Sequence, residues 1–300
     1  MPLGIVKHVP IFFAHIPKTA GTTIKEYFGL PLEGHMTMQD FLIASQSGES
    51  MDSGINADKT EQDIFNTTAK INKLGEIVNL SAFDMAIKFS FVRNPWDRAV
   101  SMYEFHKDDF DFGTFEDFTN LLMHKKDIFS EETGGTTLRP TQTQYLSVDS
   151  KNNWLHSYKP KEEKSKNPLR VLKGRHPARN SGHLCYDYIG KFENIEREVF
   201  VLKEFLIQLS DKVESCGHNI NNDQFPWEGK DRLGLFRKNK NRKLDYRTYY
   251  KNFNQIYAVF DYYYNDVVNF NYGFTPGTSY DKCYTTIRCF KQYKEKNDIL

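Results

Sequence analysis

Three hundred residues, 39% of them hydrophobic and 26% charged, can build one large domain whose core needs no disulfide staples. A mean hydropathy of −0.63, with no run near the ~18 apolar residues of a membrane helix, excludes a membrane-embedded chain, and the mix excludes a collagen-like or wholly disordered one. Forty Lys and Arg against 39 Asp and Glu give a net charge of +1, which removes bulk electrostatic attraction to nucleic acid as the default function.

The apolar N-terminus is broken by Lys7, His8 and Pro10 before a signal-peptide core can form, so the chain reads as soluble and cytoplasmic. Ile11 to Ala14 is a short continuous apolar run, the mark of a buried strand. A loop from His15 to Thr23 follows, then Ile24, Tyr27 and Phe28 at helical spacing. Residues 45–63 are rich in Ser, Gly and Asp and open a polar surface excursion that runs to about residue 79. Lys88 to Val92 is a second buried strand. Asn94-Pro95 then supplies an N-cap and a first-turn proline for a helix carrying Trp96, Ala99, Val100 and Tyr103 on one face. A basic loop region spans about 150–183; within it 159–179 carries a net +6, as does 230–243. Tyr186 to Phe192 alternates as a third strand and leads into a helix with Val199, Leu202, Phe205, Leu206 and Leu209 on its apolar face. A last helix, crowded with Tyr and Phe, covers roughly 247–268. Recurring strand–loop–helix units predict an α/β fold: a P-loop-like, mostly parallel sheet flanked by helices, in a single domain over 1–300.

Cys185, Cys216, Cys283 and Cys289 form no CxxC pair, and the nine histidines include no HExxH, so no metal is expected. The loop Pro17-Lys18-Thr19-Ala20-Gly21-Thr22-Thr23 between a strand and a helix is laid out as an anion cradle. The helix start presents backbone N–H groups and a positive dipole end, Gly21 admits close approach, the threonines bring hydroxyls and Lys18 a mobile charge. A kinase loop would read GxxxxGK[ST]; here Lys18 precedes Gly21, and the second strand ends at Arg93 where a magnesium-holding acid would be expected. Arg93, beyond the carboxyl end of its strand, is expected to meet the same ligand as Lys18, with Ser101 adding a hydroxyl; the plainer reading is an ion pair between Arg93 and Asp97.

Strand-PKTAGTT-helix followed by FSFVRNPWDRAVSMY resembles the cofactor signature of sulfotransferases that use 3′-phosphoadenosine 5′-phosphosulfate (PAPS), most of all the carbohydrate-type branch with the heparan-sulfate 2-O and chondroitin enzymes and their bacterial relatives. Thr141-Gln142-Thr143-Gln144-Tyr145-Leu146, Asp187-Tyr188-Ile189-Gly190-Lys191-Phe192-Glu193-Asn194 and the stretch from Tyr249 through Asp266 to Phe274 are similar to later segments of that family. The resemblance implies a sulfotransferase fold, a 5′-phosphosulfate loop at Lys18, Thr19, Ala20, Gly21, Thr22 and Thr23, and 3′-phosphate contacts at Arg93 and Ser101. It implies PAPS as donor without a metal, and an acceptor hydroxyl or amine, on a carbohydrate first and on a small molecule second. The resemblance also implies that a lumenal animal member would carry an N-terminal membrane anchor, so a truncated Golgi-lumen enzyme is the alternative to a cytoplasmic one.

Sulfuryl transfer by in-line displacement builds charge on the leaving phosphate, a role for Lys18, and an alcohol acceptor needs a base. His35, in Gly34-His35-Met36-Thr37, is the first choice; His15 and Glu26 are rivals, with His106 and His183 further behind. The competing functions are a P-loop nucleotide or small-molecule kinase and a non-catalytic nucleotide- or glycan-binding protein. Nucleic-acid partners are not expected, and the oligomeric state is not encoded in any motif.

Overall fold

Phe12 and Phe13 are adjacent in sequence and serve opposite faces of one sheet, because side chains alternate along a strand. The computed structural model describes residues 3–6, 9–30, 35–47, 69–73, 76–80, 83, 86–110, 113–123, 141–148, 184–215 and 245–276. Its central sheet has the order β1 (Leu3–Val6), β2 (Val9–Phe13), β5 (Ile87–Val92), β6 (Tyr188–Lys191). The edge strand β1 is antiparallel to β2, whereas β2, β5 and β6 are mutually parallel. Phe13 joins a core with Ile24, Phe28, Phe89, Phe91, Val199 and Leu202. On the other face Phe12 stacks on Phe41, ring centroids 4.1 Å apart, and Phe41 meets Phe83. Covered on both faces, β2 reads as a continuous apolar run, the expected signature of a parallel α/β sheet, whereas β5 is interrupted by the buried Lys88 and Ser90.

The described residues form two compact units. The first comprises those within Met1–Val92, Gln144–Arg175 and Gly182–Asn241, the second those within Arg93–Thr143, His176–Ser181 and Arg242–Leu300. In the first, helices α1 (Gly21–Phe28) and α6 (Ile195–Ser215) bring Ile24, Tyr27, Val199, Leu202 and Leu206 to the sheet, while α2 (Met38–Ser47) carries Phe41. A separate antiparallel hairpin, β3 (Ala69–Lys73) with β4 (Glu76–Leu80), lies inside the stretch expected to be a polar excursion. Neither α2 nor the hairpin is anticipated from composition. The start of α2 is nonetheless encoded: Thr37 and Asp40 form a reciprocal capping box, each side chain accepting from the other's backbone N–H.

The second unit is helical: α3 (Pro95–Phe110), α4 (Phe115–Met123), the first residues of the short α5 (Gln142–Leu146), α7 (Phe253–Tyr262) and α8 (Tyr264–Asn269). Asn94 caps α3 as expected, its Oδ1 accepting from the N–H groups of Trp96 and Asp97. Trp96 is fully buried; its Nε1 donates to Ile256 O, and its ring meets Phe260 and Phe274. In the Tyr- and Phe-rich C-terminal segment Tyr246, Phe260, Tyr263, Phe270 and Tyr272 are buried, whereas Tyr264 is exposed.

Two expectations need correction. The third strand is shorter than Tyr186–Phe192, because a 3-10 turn at Phe192–Asn194 takes its end. The last helix is not continuous over 247–268: a 3-10 turn at Tyr246–Tyr249 precedes α7, whose start is fixed by Asn252 accepting from Gln255 N–H, and Tyr263 divides α7 from α8. Among the described residues no helix is long and apolar enough to cross a membrane. The basic stretches 159–179 and 230–243, His183, Cys216, Cys283 and Cys289 lie outside the described residues; Cys185 is half-buried and in no disulfide.

Candidate active site

The chain leaves β2 at Phe13 and enters α1 through two left-handed residues, Lys18 with φ 68° and Ala20 with φ 65°. Neither has the conformational freedom of glycine, and each such residue stores about 1–2 kcal/mol of strain. Alternating left-handed positions turn successive N–H groups to one side, the arrangement that forms anion-binding nests. Ala20 is the N-cap and makes no side-chain capping bond. The first intrahelical bond is Ile24 N–H to Ala20 O, so the N–H groups of Gly21, Thr22 and Thr23 stand ahead of the ladder. Lys18 is half-buried, Thr22 exposed and Thr23 buried. Thr19 is fully buried and donates its hydroxyl proton to Ile16 O at 2.8 Å, which closes the loop.

Gly21 is bare for a reason that composition does not reveal. A β-carbon there would fall 1.7 Å from His15 Cδ2, so the histidine ring occupies the space that glycine leaves. His15 is buried, stacks on Phe13 and lies against the His35 ring, centroids 4.1 Å apart. The His35 Nδ1 is 3.1 Å from His15 O. A carbonyl oxygen only accepts, so Nδ1 carries the proton and Nε2 keeps the basic lone pair. The His35 side chain is exposed, yet enough protein surrounds it for desolvation to pull its pKa below the ordinary imidazole value. The bond to His15 O opposes that shift, and the fully buried Lys25 adds to it. The lowered pKa favours the neutral ring, with Nε2 as its bare nitrogen. Of the rival bases, His15 is packed into the interior, Glu26 is half-buried on α1, and His106 is buried beside Phe105.

In the second unit Arg93 is buried and held on two sides. Its Nε donates to Asp97 Oδ2 at 2.6 Å, so the anticipated ion pair is present. Its backbone N–H donates to Gln142 Oε1, and Gln142 Nε2 donates back to Arg93 O. Ser101, two turns into α3, is half-buried. The structure thus groups Lys18–Thr23 with His15 and His35 in one unit, and Arg93 with Ser101, Asp97 and Gln142 in the other. Lys25 and Gln142 were not singled out as site residues by sequence. Gln142 was visible only as a letter of a family-like stretch, and the burial of Lys25 follows from its place on the packed side of α1.

A sequence model of the sulfotransferase family matches residues 5–273. The chain belongs to the sulfotransferase family. Membership makes it a transferase of sulfuryl groups, and sulfotransferases of this family generally draw that group from PAPS. No curated protein and no solved structure matches the chain.

In this sulfotransferase the family-like stretch from Asp187 to Asn194 proves to be a packing device. Asp187 accepts from Lys88 N–H, its own N–H donates to Lys88 O, and the Lys88 ammonium lies 3.4 Å from its carboxylate. Lys88 Nζ also donates to Phe83 O and Ala86 O, so this buried cation is satisfied within the fold. At Gly190 a β-carbon would come within 2.4 Å of the Phe91 ring.

Proposed function

We propose that this sulfotransferase moves the sulfuryl group of PAPS to a carbohydrate hydroxyl by in-line displacement. The donor supplies an activated S–O bond whose leaving group is 3′,5′-ADP. Lys18 and the N–H groups at the start of α1 hold the 5′-phosphosulfate oxygens and stabilise the charge that develops as that bond breaks. The His35 Nε2 takes the proton of the acceptor hydroxyl as its oxygen bonds to sulfur. Arg93 and Ser101 hold the 3′-phosphate, a guanidinium fork being suited to phosphate geometry.

The observation that carries this reading is the first unit's loop: a helix start without a side-chain cap, entered through two strained non-glycine residues, with His35 packed on His15 and its Nδ1 turned to a carbonyl oxygen. A carbohydrate acceptor, and the carbohydrate-type branch, rest on the sequence resemblance alone.

Calorimetric titration of the wild type and Arg93→Ala with 3′,5′-ADP, and separately with ATP and Mg²⁺, tests the cofactor. Metal-independent binding of 3′,5′-ADP, lost in the variant, is the expected result, and labelled PAPS with a panel of glycans and small alcohols then identifies the acceptor. Preference for ATP–Mg²⁺ that ignores Arg93 replaces this reading with a kinase. Binding of 3′,5′-ADP with no labelled product from any acceptor replaces it with a non-catalytic binding protein.

A further inference from the structure

Asp266 is fully buried in α8, between Asn265 and Val267, in a segment otherwise rich in aromatic and aliphatic residues. Its two carboxylate oxygens are spent on the start of α5: Oδ2 accepts from Gln142 N–H at 2.8 Å and Oδ1 from Thr143 N–H at 2.7 Å. Asn269, one turn further along α8, donates to Thr143 Oγ1. The first turn of α5 is thereby tied to α8 through backbone and side chain.

What this tie presents is the Gln142 carboxamide. It pairs with the backbone of Arg93 in both directions, accepting its N–H at 2.7 Å and donating to its C=O at 2.9 Å. Two opposed hydrogen bonds fix both peptide planes that flank Arg93, as a strand partner would. Asp97, one turn along α3, grips the same residue by its Nε, one of five guanidinium N–H donors. All of these groups are buried or nearly so, where hydrogen bonds are strong and misplacement is expensive.

We propose that Asp266 and Gln142 are positioning residues of the nucleotide site, acting through Arg93 to set its guanidinium for the 3′-phosphate of the donor. This rests on the proposed role of Arg93. Asp266 and Gln142 touch no ligand themselves: Asp266 aims Gln142, and Gln142 aims Arg93. A helix cap needed only for folding would weaken all nucleotides alike, whereas a device that aims Arg93 selects for the 3′-phosphate.

The test is the ratio of affinities for 3′,5′-ADP and 5′-AMP, which lacks the 3′-phosphate, measured by calorimetry on the wild type, Gln142→Met, Asp266→Asn, Arg93→Ala and the Arg93→Ala/Gln142→Met double variant. In the wild type 3′,5′-ADP is preferred. Gln142→Met lowers that preference about 10- to 100-fold with little change for 5′-AMP, the scale of a charge-assisted contact to phosphate. In the Arg93→Ala background the same change has no further effect on the preference, because Gln142 acts through Arg93. Asp266→Asn, which sets an amide where an N–H needs an acceptor, follows Gln142→Met; should it not fold, Gln142→Met carries the test alone. A Gln142→Met protein that keeps the wild-type ratio, or loses both nucleotides equally, overturns the inference while leaving the role of Arg93 intact. A wild type with no preference for 3′,5′-ADP overturns the underlying reading as well.

Discussion

The His15 ring occupies the place where residue 21 would carry a β-carbon, 1.7 Å from its Cδ2. One contact thus links the strand end, the start of α1 and, through ring packing, His35. Gly21→Ala should favour the helix on propensity alone, since Ala exceeds Gly there by about 1 kcal/mol. Instead it is expected to lower stability by about 1–3 kcal/mol, as overpacking does. Urea unfolding of Gly21→Ala, His15→Ala and the double variant checks this: most of the alanine's penalty disappears once the ring is gone. Equal penalties in both backgrounds would mean that the contact does not govern position 21.

The pH profile follows from His35. Its pKa is lowered, chiefly by desolvation and secondarily by Lys25, against the bond to His15 O. A base works only when unprotonated, so the acid limb of kcat/KM is expected to inflect below about pH 6.5, the ordinary imidazole value. Over the same interval the unfolded chain binds more protons than the folded one, so this group's contribution to stability rises with pH and is lost as pH falls towards the folded pKa. His35→Asn should abolish the inflection and lower kcat by about 10²–10⁴ while leaving 3′,5′-ADP binding near wild type. A limb that survives in His35→Asn assigns the base elsewhere.

Lys18 combines a strained backbone with the charge at the loop. Lys18→Ala is expected to lower kcat by about 10²–10³, the effect of removing one preorganised stabiliser of developing charge. Lys18→Gly should be equally slow yet more stable than Lys18→Ala, by up to about 1 kcal/mol, because only glycine takes φ 68° without strain. Thermal unfolding beside single-turnover rates separates the two effects; an active Lys18→Gly enzyme contradicts the role given to the ammonium.

Asp187 and Lys88 bear on folding rather than turnover. Their side chains are 15% and 10% exposed, and Asp187→Ala leaves Lys88 without its carboxylate. The expected loss is about 3–5 kcal/mol, with kcat/KM per folded molecule near wild type. Chemical denaturation with active-site titration checks it, and a catalytic defect in fully folded Asp187→Ala protein would count against a purely structural role.

The parts of the fold that could be read from sequence are those where neighbouring residues carry the information. Ile11–Ala14 and Lys88–Val92 announced buried strands because both faces of the sheet are covered, and Asn94-Pro95 announced α3 because cap and first turn are adjacent. Helix α2 is only half legible: Thr37-Met38-Gln39-Asp40 encodes its cap, but its last turn runs into the Ser- and Gly-rich stretch that follows. Lys18 to Thr23 and Arg93 were legible as anion-binding types. The left-handed turns at Lys18 and Ala20, the His15 ring over Gly21 and the Asp266–Gln142–Arg93 relay were not, because each is set by partners distant in sequence or by backbone angles that residue type disfavours.

The clasp between Lys88 and Asp187 joins positions 99 residues apart. Closing a loop of that size depends only weakly on its length: doubling it adds about 0.6 kcal/mol. The pairing of β5 with β6 is therefore set by the clasp and the strand register far more than by the length of chain that joins them.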